Sequence, residues 1–364
     1  MRKLYLPIFL LLSHPVLAQP QLAAKLDSLF RQQPHDQPGI ALSIEKNGQI
    51  IYRKTAGMAD KTTGASLDSA SNFRMASLTK QFTAMGILLL EKEHRISLDE
   101  SIRHWLPEIP ADIGNRILIR HLLTHSSGLL DYESLISPIQ TRQVVDIDVL
   151  HLLQGQDSTF FTPGTRFRYS NSGFCLLALI IERASHQTYA AFIKERIFQP
   201  LNMDNSSVYE KGHPIPHRAM GYARNSSGHI VPSDQSITSA TKGDGGIYTS
   251  LTDYVKWIRA LQDNRLLRLS SALRRLRFPI AGLPNTYYAA GWFITGSSPL
   301  ILFHPGGTSG FANFIIQVPE DEWSIVYYSN LADNTAPFKD IMRIIKETGG
   351  GDFSQVFALQ ELTQ

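Results

Sequence analysis

The 364-residue sequence contains three Ser-x-x-Lys spacings, the first places to look for nucleophilic or acid–base chemistry. They are Ser43/Lys46, Ser77/Lys80 and Ser239/Lys242. Residues three apart share a face of a helix but point to opposite faces of a strand. Ser43 and Lys46 sit at the end of the run Ile40–Ile44, which reads as a strand, so they should not meet. Ser239 and Lys242 lie among Gly243, Gly245 and Gly246, where spacing predicts nothing. Ser77-Leu-Thr-Lys80 opens an apolar helix carrying Phe82, Met85, Ile87, Leu88 and Leu89, so Lys80 stands one turn above Ser77. A buried lysine there can take the serine's proton or stabilise an alkoxide, and a helix start adds free N–H groups and a favourable dipole. Taken alone, the segment suits a simple N-cap serine equally well.

Two further groups fit the same chemistry. Tyr169-Ser-Asn171 follows the turn Pro163-Gly164 and precedes an apolar helix, a place from which a phenol and an amide can be aimed into a cleft. Tyr169 could shuttle protons beside Lys80, and Asn171 could bind a substrate amide and orient Lys80. The same letters recur at Tyr328-Ser-Asn330, where a strand end makes an aromatic core residue and a turn asparagine the better reading. His304-Pro-Gly306-Gly307-Thr-Ser-Gly310 follows the apolar run Leu300–Phe303. Its glycines would let backbone approach a ligand and present an N–H, and its histidine could donate a hydrogen bond or carry a proton. A hairpin loop with an incidental histidine accounts for these letters too.

Other signals are weaker. His121 and His125 are four apart but lack the glutamate of a His-Glu-x-x-His zinc site, so no metal and no cofactor are expected. Gly243-Asp244-Gly245-Gly246 lacks the Gly-Lys-Ser/Thr of a phosphate loop and reads as a tight turn. Arg265, Arg268, Arg274, Arg275 and Arg277 read as a solvated face. Trp292 and Phe311 read as core packing first and groove lining second. The single Cys175 excludes an internal disulfide, lies on an apolar helix, and reads as core packing.

The elements that must position these groups follow from periodicity. A helix is expected over Gln21–Gln33, ended by Pro34 and Pro38. Ile40–Ile44, the turn Asn47-Gly48 and Ile50–Tyr52 form a hairpin. Helices follow near 79–92, 172–186 and 189–198. Strands are expected at Tyr287–Ile294, Leu300–Phe303, Phe311–Val318 and Trp323–Tyr328, with a last helix near 335–347. The fold class is therefore α+β: an antiparallel β-sheet drawn from both chain ends, flanked by helices, with a mostly helical lobe inserted. The sheet lobe would take about 19–76 and 240–364 and the helical lobe about 77–239. Loops near 130–165 and 205–245 would shape the groove between them.

Composition agrees with a globular chain, 43% apolar and 18% charged. Arg2 and Lys3, the apolar run Leu4–Leu12 and Val16-Leu17-Ala18 read as a secretory signal peptide over 1–18, too short and too broken to span a bilayer. Removing those 18 residues, two of them basic, leaves 346 residues with 33 basic and 32 acidic side chains. So balanced a charge argues against nucleic acid as a partner. A periplasmic or secreted location follows, with membrane contact only through an uncleaved signal.

Together, Ser77-x-x-Lys80, Tyr169-x-Asn171 and His304-x-Gly306, in that order, resemble the serine hydrolases of the class C β-lactamase and D-alanyl-D-alanine carboxypeptidase family, the penicillin-binding-protein-like enzymes. His121-Leu-Leu-Thr-His-Ser-Ser-Gly-Leu129, Phe161-Thr-Pro-Gly-Thr165, Pro200-Leu-Asn-Met203 and Gly245-Gly-Ile-Tyr-Thr-Ser250 resemble that family as well, over about residues 35–345. The resemblance implies a β-lactamase/transpeptidase-like fold and an acyl-enzyme on Ser77. Lys80 and Tyr169 would share the base work, and Asn171 would contact the acyl amide. The N–H groups of Ser77 and Gly307 would form the oxyanion hole. Substrates would be D-amino-acid or cell-wall-type peptides, β-lactam-like amides or small esters. The family usually carries Lys-Thr-Gly where this chain has His304-Pro305-Gly306. The change removes a positive charge and a hydroxyl that help hold a substrate carboxylate, and so argues against efficient β-lactam hydrolysis. The alternative is a non-hydrolytic penicillin-binding sensor or an inactive homologue.

Overall fold

In the computed structural model, residues 18–296 and 298–363 are described. The proposed signal segment lies almost wholly outside them. No described helix is long and apolar enough to cross a membrane.

Six described helices have nine residues or more: α1 (Ala18–Arg31), α2 (Thr79–Lys92), α3 (Asp146–Gln154), α4 (Asn171–Ser185), α5 (Leu251–Gln262) and α6 (Ala336–Glu347). The main sheet has eight antiparallel strands: β1 (Ile40–Lys46), β2 (Gln49–Ala56), β3 (Phe278–Pro279), β4 (Tyr287–Ala289), β5 (Trp292–Thr295), β6 (Ile301–Thr308), β7 (Phe311–Val318) and β8 (Trp323–Ser329). Their spatial order is β3-β4-β5-β6-β7-β8-β1-β2, so the first hairpin joins the last strands edge to edge. Helices cover both faces of the sheet, which explains why its central strands are apolar without alternation. Along β7 and β8, Phe314, Ile316, Ile325 and Tyr327 join Phe30 of α1 and Phe338 of α6 in one core. Their neighbours Ile315, Val326 and Tyr328 join α2 and α4 in the other. The antiparallel sheet with flanking helices is the α+β class that periodicity indicates.

Two local expectations change. Tyr287–Ile294 is not one strand but a hairpin, β4 and β5, turning at Ala290-Gly291. Gly291 has φ +85°, and a Cβ there would sit 2.6 Å from the Gln81 amide nitrogen, so the turn packs directly onto α2. Both faces of the segment are buried, so no polar residue marks the turn. The second change concerns His304–Thr308, which continue strand β6 in register with Phe311–Ile315 rather than forming a loop. Strand β5 pairs with β6 only as far as Phe303, which leaves the rest of β6 unpaired on that side. Pro305, which lacks an N–H, is tolerated beside such an open edge. The tight turn comes later, at Gly310 with φ +74°.

Candidate active site

Ser77 sits in a single 3₁₀ turn, Ala76–Leu78, just before α2. Ala76 has φ +50°, a backbone conformation that alanine rarely takes. Ser77 makes no capping hydrogen bond, so the N-cap reading of this serine is not realised. The turn lies against the open edge of β6: a Cβ on Gly306 would be 2.4 Å from the Met75 carbonyl oxygen. Only glycine lets the strand come this close.

Lys80 is fully buried in the first turn of α2. Its ammonium spends its three hydrogens on three acceptors: Ser77 Oγ at 3.0 Å, Asn171 Oδ1 at 2.8 Å and the Asp244 carbonyl at 3.0 Å. The other two spacings do not close. Ser43 accepts from Arg53 while Lys46 lies over Trp323. Ser239 accepts from the Ser236 amide while Lys242 pairs with Glu210.

Asn171 begins α4, whose start is capped by Ser170 through the Gly173 amide. Its side chain is used at both ends, Oδ1 to Lys80 and Nδ2 to Glu133 Oε1 at 2.6 Å. Tyr169 lies beside Lys80, but the ring face, not the hydroxyl, meets the ammonium, 4.9 Å from the centroid. The ring is stacked on Phe293 and against His125, and its buried hydroxyl has no partner.

His304 departs from the expected role. Its ring is fully buried under Tyr288, Phe293 and Tyr169 rather than open to a ligand. Nδ1 lies 2.6 Å from the Pro305 carbonyl, which can only accept, so Nδ1 carries the hydrogen and Nε2 accepts from the Tyr288 hydroxyl at 3.1 Å. Burial and the nearby Lys80 charge push its pKa down to about 3. A histidine so held is neutral at physiological pH and lines neither cavity at Ser77; its ring props the strand. Gly307 stays at the surface of the site, and Gly306 and Gly307 line one cavity with Ser77.

Three contributors escaped sequence reasoning. Asp244 supplies a carbonyl to Lys80 from the turn read only as a tight turn. Asp146, buried at the start of α3, accepts the Lys242 and Gly243 amides and so fixes that turn; burial and the charge of Asp244 raise its pKa to about 7. His125 brackets Tyr169: its carbonyl accepts the Arg168 amide at 2.9 Å and its Nδ1 the Ser170 amide at 3.1 Å. Burial, with the charge of Lys80 nearby, holds His125 neutral. The other histidine of that motif, His121, accepts the Leu118 amide, so the two do separate backbone work. His125 alone had a signal, its place in the His121–Leu129 motif. The remaining weak signals stay structural. Burial keeps the Cys175 thiol protonated behind Asn171. Asn330 stitches Gly39, Met58 and Met220 together. Arg275 pairs with Glu91.

The arrangement can carry acyl transfer: a strained turn presents a hydroxyl to a buried amine, beside an open strand edge. The Beta-lactamase family model matches residues 26–349. A penicillin-binding protein of Bacillus subtilis is 32% identical over 331 residues, covering 85% of this chain and 72% of the relative. Protein flp of Staphylococcus aureus is 28% identical over 307 residues, and the match spans 61% of its length. Among solved structures, the D-amino acid amidase of Ochrobactrum anthropi, complexed with L-phenylalanine amide, superposes with a TM-score of 0.75 at 24% identity, covering 91% of this chain and 99% of that one.

Proposed function

Because the chain belongs to the β-lactamase family of serine hydrolases, we propose that it forms an acyl-enzyme on Ser77. Its substrates are D-amino-acid or cell-wall-type peptides, β-lactam-like amides or small esters. The observation that carries this reading is the 3.0 Å contact between Lys80 Nζ and Ser77 Oγ. In the reactive form the amine is neutral and the hydrogen bond runs from the serine hydroxyl to Nζ. As Oγ attacks the substrate carbonyl carbon, the proton passes to Lys80 and the carbonyl electron pair moves onto oxygen. The N–H groups of Ser77 and Gly307 receive that oxyanion, each donor worth about 3–4 kcal/mol. Collapse breaks the bond to the leaving nitrogen or oxygen, which departs with the proton from the Lys80–Tyr169 side. The Tyr169 hydroxyl, unpartnered in the free enzyme, finds its partner in that leaving group. Water then attacks the ester along the same route, releases the acid and restores Ser77. Asn171 faces the acyl group.

The basic, apolar start carries the companion proposal of export to the periplasm or medium. Sequencing the N-terminus of protein from producing cells should then begin at Gln19.

The test of function compares nitrocefin, a p-nitrophenyl ester and a D-Ala-D-Ala peptide with wild type and Ser77→Ala. Turnover of at least one substrate, absent in the variant and slowest on nitrocefin, supports the reading. Turnover that survives Ser77→Ala refutes it. Stoichiometric acylation without turnover favours the sensor alternative.

A further inference from the structure

Two cavities meet at Ser77 and at Gly307–Thr308. The smaller, of about 150 Å³, includes Asn171 and so lies on the acyl side. The larger, of about 540 Å³, runs along β6 without touching Asn171, and so takes the leaving portion of the substrate. Its lining joins Pro305, Phe311 and Phe314 of the sheet to Gln360 and Thr363, residues more than 50 positions later in the chain.

Gln360 and Thr363 belong to a segment that follows α6 and lies beyond the residues matched by the family model, which end at 349. Gly349 and Gly351, at φ +80° and +109°, turn the chain back, and Lys346 pairs with Asp352 at 2.7 Å. Phe353, Val356 and Leu359 then recur three apart, a spacing that gathers side chains on one face of a helical segment. All three are buried in the core that holds Phe314 and Phe338. Phe357 adds an edge-on contact to Phe338, with ring centroids 5.9 Å apart. So anchored, the short helix Val356–Gln360 and the 3₁₀ turn Glu361–Thr363 bring the segment to the catalytic cavity. There the Thr363 hydroxyl donates to the Gln360 carbonyl at 2.9 Å and ties the turn to the helix.

The larger cavity is polar at this wall and holds no cation. Asp333 is the one charged residue among those that line it. Among the described residues Asp333 has no cation within ion-pair distance, whereas Asp340 and Asp352 do. A leaving portion that stops at a carboxylate meets no counter-charge here and is repelled by Asp333. The Gln360 side chain makes no hydrogen bond to another described residue, so its amide keeps two donors and an acceptor for a ligand. We propose that Gln360 is a specificity-determining residue: it binds a leaving portion that continues past the scissile bond as an amide, while Asp333 disfavours one that ends in a carboxylate. The preferred cleavage is then ahead of a continuing or amidated chain, not release of a terminal amino acid. This rests on the acyl-enzyme reading, in which Asn171 marks the acyl side.

The test uses two esters that share the acyl group of a substrate turned over in the assay above. Their leaving alcohols are glycolylglycinamide and glycolylglycine, which differ only in a terminal amide or carboxylate far from the scissile bond. The full chain is assayed as wild type, Gln360→Ala, Gln360→Lys and Asp333→Asn, and the readout is the ratio of kcat/KM for the amide over the carboxylate. That ratio is independent of the fraction of active enzyme, so partial misfolding of a variant does not move it. In wild type it should reach about 2- to 12-fold, the worth of one neutral hydrogen bond, or more where Asp333 adds repulsion. It should fall toward unity in Gln360→Ala, fall in part in Asp333→Asn, and invert in Gln360→Lys, which puts a cation where the amide stood. Asparagine suits the φ of +56° at position 333. A wild-type ratio near one, a preference for the carboxylate, turnover of neither ester, or a Gln360→Lys variant that keeps the wild-type ratio would overturn the proposal. Fluorophosphonate labelling of Ser77 is read on the same preparation. Labelled enzyme without the amide preference sinks the role of Gln360 alone; unlabelled enzyme sinks the acyl-enzyme reading with it.

Discussion

Replacing His125 by leucine should slow the chemistry without weakening substrate binding. The ring keeps Tyr169 in place through one acceptor, Nδ1, 3.1 Å from the Ser170 amide, and through a tilted packing against the Tyr169 ring with centroids 4.2 Å apart. Leucine keeps the volume but removes the acceptor, leaving the amide of a residue only 3% exposed without a partner. An orphaned buried donor costs about 1–3 kcal/mol. The loop can escape that cost by shifting, and the shift moves Tyr169 away from Lys80. If the same energy is lost from the transition state, kcat falls by about 5- to 150-fold. KM should stay within a few-fold, because His125 lines neither cavity at Ser77. His125→Asn is the rescue: Oδ1 can stand where Nδ1 stood, and asparagine tolerates the φ of +54° at this position. Burial holds the histidine neutral, so the clamp should not release between pH 5 and 8. Steady-state hydrolysis of a p-nitrophenyl ester by the two variants, with thermal melting alongside, makes the comparison. Leucine as active as histidine, or asparagine as damaging as leucine, would refute the argument that one acceptor sets the tyrosine.

Lys80→Ala should lower the acylation rate by about 10²–10⁴-fold, the usual worth of a general base, with the circular-dichroism spectrum unchanged; acylation within a few-fold of wild type would show that another group is the base. Gly306→Ala places a Cβ 2.4 Å from the Met75 carbonyl and should destabilise by about 1–3 kcal/mol while disturbing the turn that holds Ser77, read as a lower melting temperature and lost ester hydrolysis. Burial raises the folded-state pKa of Asp146 to about 7, from an ordinary carboxyl value of 3.8, so between those limits the folded chain binds the extra proton and stability falls as pH rises. Asp146→Asn should flatten the melting temperature between pH 5 and 8, and a wild-type melting temperature rising steadily across that range would contradict the assignment.

The parts of the site legible in sequence are those set by local geometry. Helical spacing alone singles out Ser77/Lys80 from two decoys, and the helix start places Asn171 next to its cap. Alternation is uninformative where the sheet is covered on both faces, so the Ala290-Gly291 turn hides inside an apolar run. His304-Pro-Gly-Gly looks like a loop because proline and glycine usually break strands; here an open edge tolerates the proline and a close approach requires the glycine. Glu133 and Asp244 meet Asn171 and Lys80 across 38 and 164 residues, and no local pattern encodes such encounters. His125 was visible as a motif letter, but its partner amide is contributed by the Tyr169 loop.

The central claim is that Ser77 is the acylated nucleophile. A fluorophosphonate probe, or a labelled penicillin, followed by proteolysis and mass spectrometry tests it directly. The account predicts one adduct, on the peptide containing Ser77, lost in Ser77→Ala and absent from Ser43 and Ser239. An adduct on another serine, or no adduct under conditions that label a control serine hydrolase, would contradict it.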